Sequence, residues 1–466
     1  MASMFGTHAI YTIDTNTYFK SQVALAIALR DRHDLRPVCF FPRPYPQRSD
    51  HIRQLQDLGV DAVSYSGCGE LGMRLSPAGI VFRLLRKMLP PLAEYWHVSS
   101  ISKAWRNLLK RRKPSVVVLP AQGRFDQPIL GRVVLDAGIT LIVCPLWMAG
   151  PHELYEALRG TQSQNLRRWI NRIVARYFPQ WKFVDVESGD SYLALPWGEV
   201  LVREAMGFAE GDPWVLHSGP SDFICVESLA MKTLGSRSGL PSEKMHVTGS
   251  IFHDHIWECN PLIDITSTGY QTQFPVPLEI LTALPPDMFG QRGEYSHDFS
   301  NYDDLVVGWL SDLCSLENVR VLASIHPTAR ILESWMERFP SVTWTECPVE
   351  FLIPNCDLYA ASISATIQWA LASGKPVINF DVYGYGYADY DGESNVSYCT
   401  TRNEYQQALQ DAREIILNGD SSRTVRLPKW GLLDGHAVDR IHSLMKLEIE
   451  SSNSPFSKHQ SPQSGE

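Results

Sequence analysis

The sequence predicts an α/β protein built as two doubly wound parallel-sheet domains, and three observations carry that expectation. The chain has 466 residues, too many for one ordinary domain of about 150 residues. Short β-branched apolar runs alternate with longer helical patterns, the mark of successive βα units. That alternation decays once, between about 254 and 276, in DHIWECNPLIDITSTGYQTQFPV, and then restarts.

The first series reads as strands at HAIYTI (8–13), RPVCFFP (36–42), DAVSY (61–65), SVVVLP (115–120), TLIVCPLW (140–147), DFICVES (222–228) and KMHVTGS (244–250), with helices between most of them. Asp14 and Thr15 fall at the carboxyl end of the opening strand, where loops of a doubly wound sheet line the ligand crevice. The second series places strands at 278–284, 319–325, 341–346, 357–362 and 376–382, with helices at about 302–316, 329–338, 348–354 and 364–373. The expected organisation is a domain over 1–255, a linker over 256–277, a second domain over 278–450 and a polar, Ser/Pro-rich disordered tail over 451–466. Paired domains of this kind bind ligands in the cleft they face.

Composition narrows the function. Hydrophobic residues at 44% and charged residues at 20% describe a folded chain. A net charge of −9 supplies no global field for nucleic acid. The nine cysteines are scattered without a Cys-x-x-Cys pair, which argues against a disulfide scaffold or a cysteine-rich zinc site. The N-terminus lacks a basic segment followed by an apolar run, and no stretch approaches the roughly 18 apolar residues of a span, so a cytoplasmic protein is expected.

Two stretches carry the chemistry. In LASIHPTAR (322–330) an apolar strand ends on His326 and Pro327. Proline lacks an N–H and pushes the preceding residue toward an extended conformation, so His326 either closes the strand at the crevice or fills a loop. In DLYAASISATIQWALASGKPVINFD (357–381) a strand leads through Ser362, Ser364 and Thr366 into a helix that Gly374 stops. The hydroxyls either cap that helix, worth about 1 kcal/mol, or join its N-terminus in binding phosphate. His253 and His255 alternate in HDH without a third ligand in view and read as linker. Asp389-Tyr390-Asp391 matches an Asp-x-Asp metal motif only literally. The Tyr/Gly-rich run DVYGYGYADYDG either covers a sugar ring or packs on its own aromatics.

The basic residues are concentrated. Between Arg83 and Lys113 nine Lys/Arg face the single acid Glu94, interleaved with Trp96 and Trp105, and LRRWINRIVARYFPQWK (166–182) repeats the pattern. Such segments are either solvated faces whose aromatics turn inward or docks for anionic lipid.

The ordered set of His-Pro after a strand, CPVEFLIPNCDLYAASISATIQWALASGKPVINFD and WGLLDGHAVDRI (430–441) resembles the nucleotide-binding half of GT-B sugar-nucleotide enzymes over residues 222–445. It is most similar to bacterial surface-polysaccharide glycosyltransferases of the His-Pro and Ser/Thr motif type. The resemblance implies that His326, with Pro327, meets the donor phosphate and stabilises the leaving group, and that Ser362, Ser364 and Thr366 bind it from the helix side. It further implies Glu346 near the base or ribose, and Gly249, Ser250 and Asp254 in the passage that closes the first domain. The implied substrates are a CMP- or UDP-linked sugar and a surface-glycan or lipid-linked acceptor, with no metal or other cofactor and with peripheral membrane contact through 83–113 and 166–182. A GT-B catalytic base comes from the first domain, where Asp14 leads and Asp126 and Glu153 follow, with Arg124 and His152 as acceptor contacts. UDP-N-acetylglucosamine 2-epimerases share the two-domain build but open with a Gly-Thr-Arg-Pro-Glu type loop, where this chain has TIDTNTYFKS. An epimerase and a catalytically silent sugar-nucleotide-binding module are the alternatives.

Overall fold

The computed structural model describes residues 8–65, 87–122, 126–158, 161–185, 189–209, 211–259, 277–325, 332–418 and 428–452. His326, Pro327, Arg124, the linker positions 260–276 and the tail from 453 lie outside the described residues. The chain divides into two compact units, one through 1–227, 231–251 and 436–466, the other through 228–230 and 252–435.

The first unit holds a seven-stranded sheet in the order β3-β2-β1-β4-β5-β8-β9. Its strands are β1 (His8–Thr12), β2 (Arg36–Phe41), β3 (Asp61–Ser64), β4 (Val116–Leu119), β5 (Thr140–Val143), β8 (Phe223–Val226) and β9 (Met245–Val247), all parallel. A short antiparallel pair, β6 (Lys182–Val184) and β7 (Ser191–Leu193), interrupts the alternation between β5 and β8. β4 and β5 are buried at every position, as strands covered on both faces by helices must be. The chain runs outward from β1 to β3, then returns to β4 on the other side of β1. The topological switch point therefore lies between β1 and β4, whose carboxyl ends carry Asp14 and Asp126.

Helix Pro90–Arg112 covers one face of this sheet. Trp105 is its anchor: the indole is buried, lies against Phe40 and donates from Nε1 to Leu130 O at 3.0 Å. Helix Trp197–Met206 packs on it through Gly198, where a Cβ would stand 2.9 Å from Pro90 Cβ. That close approach brings Glu94, His97 and Glu199 to one wall.

The second unit holds a six-stranded parallel sheet in the order β12-β11-β10-β13-β14-β15. Its strands are β10 (Leu278–Ala283), β11 (Val319–Ser324), β12 (Thr343–Thr345), β13 (Leu358–Ala361), β14 (Val377–Phe380) and β15 (Val396–Cys399). Trp309, stacked on Phe380, and Tyr405 fill its core, and Thr282 accepts from Trp309 Nε1 at 2.9 Å. Here the switch point lies between β10 and β13, with Ala283 paired to Ala361 at the crevice edge. The architecture is thus the expected α/β pair of doubly wound sheets.

Some boundaries differ from the sequence expectation. The sequence places a linker over 256–277 and reads HDH (253–255) as linker too, yet Ile251–Glu258 form a helix in which His253 and Asp254 are fully buried. Its eight residues are too few to show a clear period. The second domain was carried to 450, whereas the final helix Ala437–Ser452 groups with the first unit. Polar contacts hold it there: His33 Nε2 is 2.9 Å from Asp439 Oδ1, His33 stacks on His442, and Arg440 Nε donates to Thr248 O at 2.7 Å. β15 and the β6–β7 pair, both short, escaped the sequence pattern.

Candidate active site

At the switch point of the first unit, β1 and β4 deliver two carboxyl groups and the loop after β2 delivers an arginine. Asp126 precedes helix Gln127–Asp136, but its side chain makes no capping hydrogen bond. Its Oδ2 and Oδ1 instead accept from Arg43 Nε and Nη2 at 2.5 and 3.0 Å, and Oδ1 lies 2.9 Å from His97 Nε2. Burial raises the Asp126 pKa, but the Arg43 charge, the His97 hydrogen bond and the Arg43 hydrogen bonds outweigh it and hold this carboxylate well below its usual range. Asp126 is therefore a fixed anion.

His97 feels the reciprocal influence. Burial lowers its pKa, yet the hydrogen bond and charge of Asp126, with Glu94 behind, leave it raised. When neutral, the ring donates from Nε2 to Asp126 and keeps its lone pair on Nδ1, the base-and-orienter arrangement of catalytic histidines.

Asp14 lies beside this pair. Gln127 Nε2 donates to its Oδ2 at 2.5 Å, and its Oδ1 has no hydrogen-bond partner among the described residues. Burial is the main cause that pushes its carboxyl up to about 6, opposed by Arg43 and reinforced by Asp126. A carboxyl raised by folding stabilises the fold below the unfolded-state value near 4 and loses that contribution as pH rises through about 6. Asp14→Asn, which keeps an acceptor for Gln127, is expected to gain up to about 3 kcal/mol over the wild type at pH 8 and nothing at pH 4. Urea denaturation at the two pH values checks this.

A cavity of about 490 Å³ opens onto the cluster, lined among others by Arg43, Glu94, His97, Glu199, Trp197 and Arg168. Burial and the neighbouring Glu199 carboxylate push the Glu94 pKa up. Arg203, buried beneath, adds a cation that Glu199, Glu94 and Asp126 all face. The cavity thus offers a polarised imidazole, a carboxyl whose proton affinity burial and Glu199 raise, and aromatic surface from Trp197, a set suited to polyhydroxyl ligands and proton transfer.

The other residues singled out from sequence fall elsewhere. Glu153 Oε2 accepts from Gly150 N at 2.7 Å, capping its own helix Pro151–Leu158, and His152 is exposed on the same turn; neither lines the cavity. Gly249 takes φ +79° and Ser250 follows it into helix Ile251–Glu258. Glu346 is exposed at the carboxyl end of β12. Of the hydroxyl set after β13, Ser364 Oγ and Thr366 Oγ1 are 2.7 Å apart, Thr366 also bonds Tyr359, and Ser362 is half-buried. The expected helix from 364 begins at Ile367.

That loop has a shape imposed on it. Ile363 adopts φ +44°, a left-handed conformation costly for a β-branched residue, and its N–H donates to the buried Asn379 Oδ1 at 2.9 Å. Asn379→Ala is expected to cost about 1–3 kcal/mol by leaving this N–H unsatisfied, read as a shift in denaturant midpoint. The Tyr/Gly loop is likewise packed inward. Tyr383 donates to Pro286 O at 2.8 Å, and Arg292 donates to Tyr383 O and Gly384 O while lying over the Tyr385 ring.

His97, Arg43, Glu94 and Glu199 were not singled out from sequence as site residues. The available signals were a lone His in an otherwise basic helix, His97, and an Arg between two prolines at a strand end, Arg43.

No family model matches the chain, and no curated protein matches it in sequence. Solved structures do match in fold. The calicheamicin glycosyltransferase CalG4 superposes with a TM-score of 0.54 at 12% identity, covering 97% of this chain and 100% of that one. A Listeria monocytogenes protein assigned to the UDP-N-acetylglucosamine 2-epimerases gives 0.53 at 12% identity, over 98% and 99%. MnaA from S. aureus, in a co-structure with UDP, gives 0.51 at 11% identity, over 95% and 97%. The fold they share with this chain is GT-B.

Proposed function

We propose that the protein is a glycosyltransferase that moves a sugar from a nucleotide donor, CMP- or UDP-linked, to a hydroxyl of a glycan or lipid-linked acceptor. The observation that carries this reading is the His97–Asp126 pair opening onto the cavity at the first unit's switch point. The acceptor hydroxyl occupies the cavity, and His97 Nδ1 takes its proton while Asp126 stabilises the imidazolium that forms. The acceptor oxygen then bonds to the sugar anomeric carbon as the bond to the nucleotide phosphate breaks, and the phosphate leaves with the electron pair. Asp14, the first candidate base from sequence, lies too deep to line the cavity; its proposed role is to tune Arg43 and Asp126.

The donor belongs in the second unit. The parallel strands end on one edge, where the Ser362–Thr366 turn sits at the switch point and Glu346 stands on the same edge. His326 and Pro327 follow β11 in the chain, and their proposed part is to meet the donor phosphate. The reaction so drawn uses no metal. The UDP in the MnaA co-structure supports a nucleotide ligand for this fold.

A second reading, sugar-nucleotide epimerisation, is favoured by the Glu94–Glu199 pair, since a carboxyl with raised proton affinity beside His97 suits proton exchange at carbon. One experiment separates them. The protein is screened by thermal shift against CMP-, UDP- and CDP-linked sugars, and the best binder is incubated with acceptor hydroxyl compounds. Released nucleotide with a glycosylated acceptor supports the transferase; isomerised donor without nucleotide release supports the epimerase; absence of any nucleotide shift overturns both.

A further inference from the structure

Helix Trp169–Tyr177 has a divided surface. Asn171, Val174 and Ala175 face inward, and Asn171 Nδ2 fixes the helix by donating to Ser163 O and Asn165 O at 3.0 and 2.8 Å. Val174 and Ala175 pack with Trp181, Leu193 and Val200, so the opposite face is held outward. That outer face carries two adjacent rows at four-residue spacing. Arg168, Arg172 and Arg176 are exposed, and beside them Trp169, Ile173 and Tyr177 are 66%, 44% and 75% exposed.

A solvated helix does not need a tryptophan, an isoleucine and a tyrosine in one exposed row. An arginine row against an aromatic and aliphatic row is the pattern of a helix lying in a lipid interface, with the apolar row entering the headgroup boundary and the cations meeting anionic headgroups. The charge is local: residues 161–182 contain no Asp or Glu, although the whole chain carries −9. Arg167 at the edge is paired with Asp190 at 3.2 Å.

The second observation is where this face lies. Arg168, the head of the cationic row, lines the 490 Å³ cavity, as does Lys87. Trp169 directly follows Arg168, and Met88, Leu89 and Leu92 follow Lys87; all four are exposed. Exposed apolar residues of two separate segments therefore directly adjoin lining residues of the pocket that holds His97.

We propose that the Trp169–Tyr177 helix, with the 88–92 segment, docks on an anionic lipid bilayer and sets the cavity mouth against it, so that the acceptor enters from the lipid side. The term acceptor rests on the glycosyltransferase reading; the docking does not. No helix among the described residues is long and apolar enough to cross a membrane, so the attachment is to the surface.

The test is co-flotation of the full chain with phosphatidylcholine vesicles, with and without phosphatidylglycerol, at low and high salt. The chain is expected to float with the anionic vesicles and to stay behind with the neutral ones. Arg172→Gln/Arg176→Gln is expected to weaken partitioning about thirty-fold, at roughly 1 kcal/mol for each cation near the surface. Ile173→Ser/Tyr177→Ser is expected to lose the binding that survives high salt. Both pairs are exposed, and unchanged melting curves confirm that the variants fold. Equal binding to neutral vesicles, equal binding by the variants, or no flotation of the wild type would each overturn the proposal. So would retention on a heparin column without vesicle binding, which would assign the face to a polyanionic macromolecule. Flotation is read without nucleotide, so a failed nucleotide screen beside intact flotation counts against the sugar-nucleotide readings and not against the docking.

Discussion

His97→Asn lowers kcat by roughly 10²–10⁴-fold, the usual contribution of a positioned acid–base group, while the melting temperature stays near that of the wild type. The residue lines the cavity, so the substitution removes the lone pair that receives the acceptor proton and little of the core. The pH profile gives a sharper reading than the rate. The proposed base must be neutral, so activity rises with pH through the His97 pKa, which Asp126 holds above the ordinary histidine value against the opposing effect of burial. Asp126→Asn removes that support and moves the rise to lower pH. Were Asp14 the base instead, the rise would centre near its own value of about 6, Asp14→Asn would abolish activity, and His97→Asn would leave the profile intact.

Asp126→Asn also carries the largest expected cost to stability. Asp126 is the buried anion of a bidentate pair, and removing it takes from Arg43 its bidentate counter-charge and leaves only the weaker influence of Glu199 and Asp14. The general cost is about 3–5 kcal/mol, and because Arg43 keeps a third of its side chain in solvent, the lower end, about 3 kcal/mol, is expected at pH 7. Combining the change with Arg43→Met should return part of that loss, as groups in direct contact are not additive. The sign with pH follows from a carboxyl depressed by folding. Its stabilisation is present above the unfolded-state value and is lost as pH falls toward the folded value, so the gap between wild type and variant narrows below about pH 4. Chemical denaturation from pH 7 down to pH 3 measures it.

The placement of Asp14 and Asp126 was legible because it needs only strand recognition: a residue after a β-rich run in a doubly wound sheet comes to the crevice edge wherever the helices lie. The nine Arg and Lys residues between Arg83 and Lys113 were also legible as a charged segment, but not the division of labour among the aromatics. Trp105 is buried and hydrogen-bonded in the core, whereas Trp96 is 45% exposed, and only packing against Phe40 and Leu130 separates them.

His97 was not legible as a site residue. Its partner lies 29 positions away on another element, and the two meet because helix Trp197–Met206 approaches closely enough at Gly198 to seat helix Pro90–Arg112 over the β4 edge. Helix Ile251–Glu258 and the return of the final helix to the first unit escaped for a related reason. Short elements lack a full period, and contacts such as His33 with Asp439 join residues 406 positions apart, a distance no local pattern spans.

Sequence alone determined the α/β class, the two parallel sheets and the strand ends at which ligands gather, because periodicity and burial along a single strand are properties of neighbouring residues. Tertiary structure decided which groups at those ends act together: the Asp126 carboxylate answers Arg43 and His97 instead of capping its helix, and Arg168, at the head of the arginine row, lines the cavity that His97 also lines. Charge pairing and desolvation depend on distances between elements, and those distances exist only once the helices have packed.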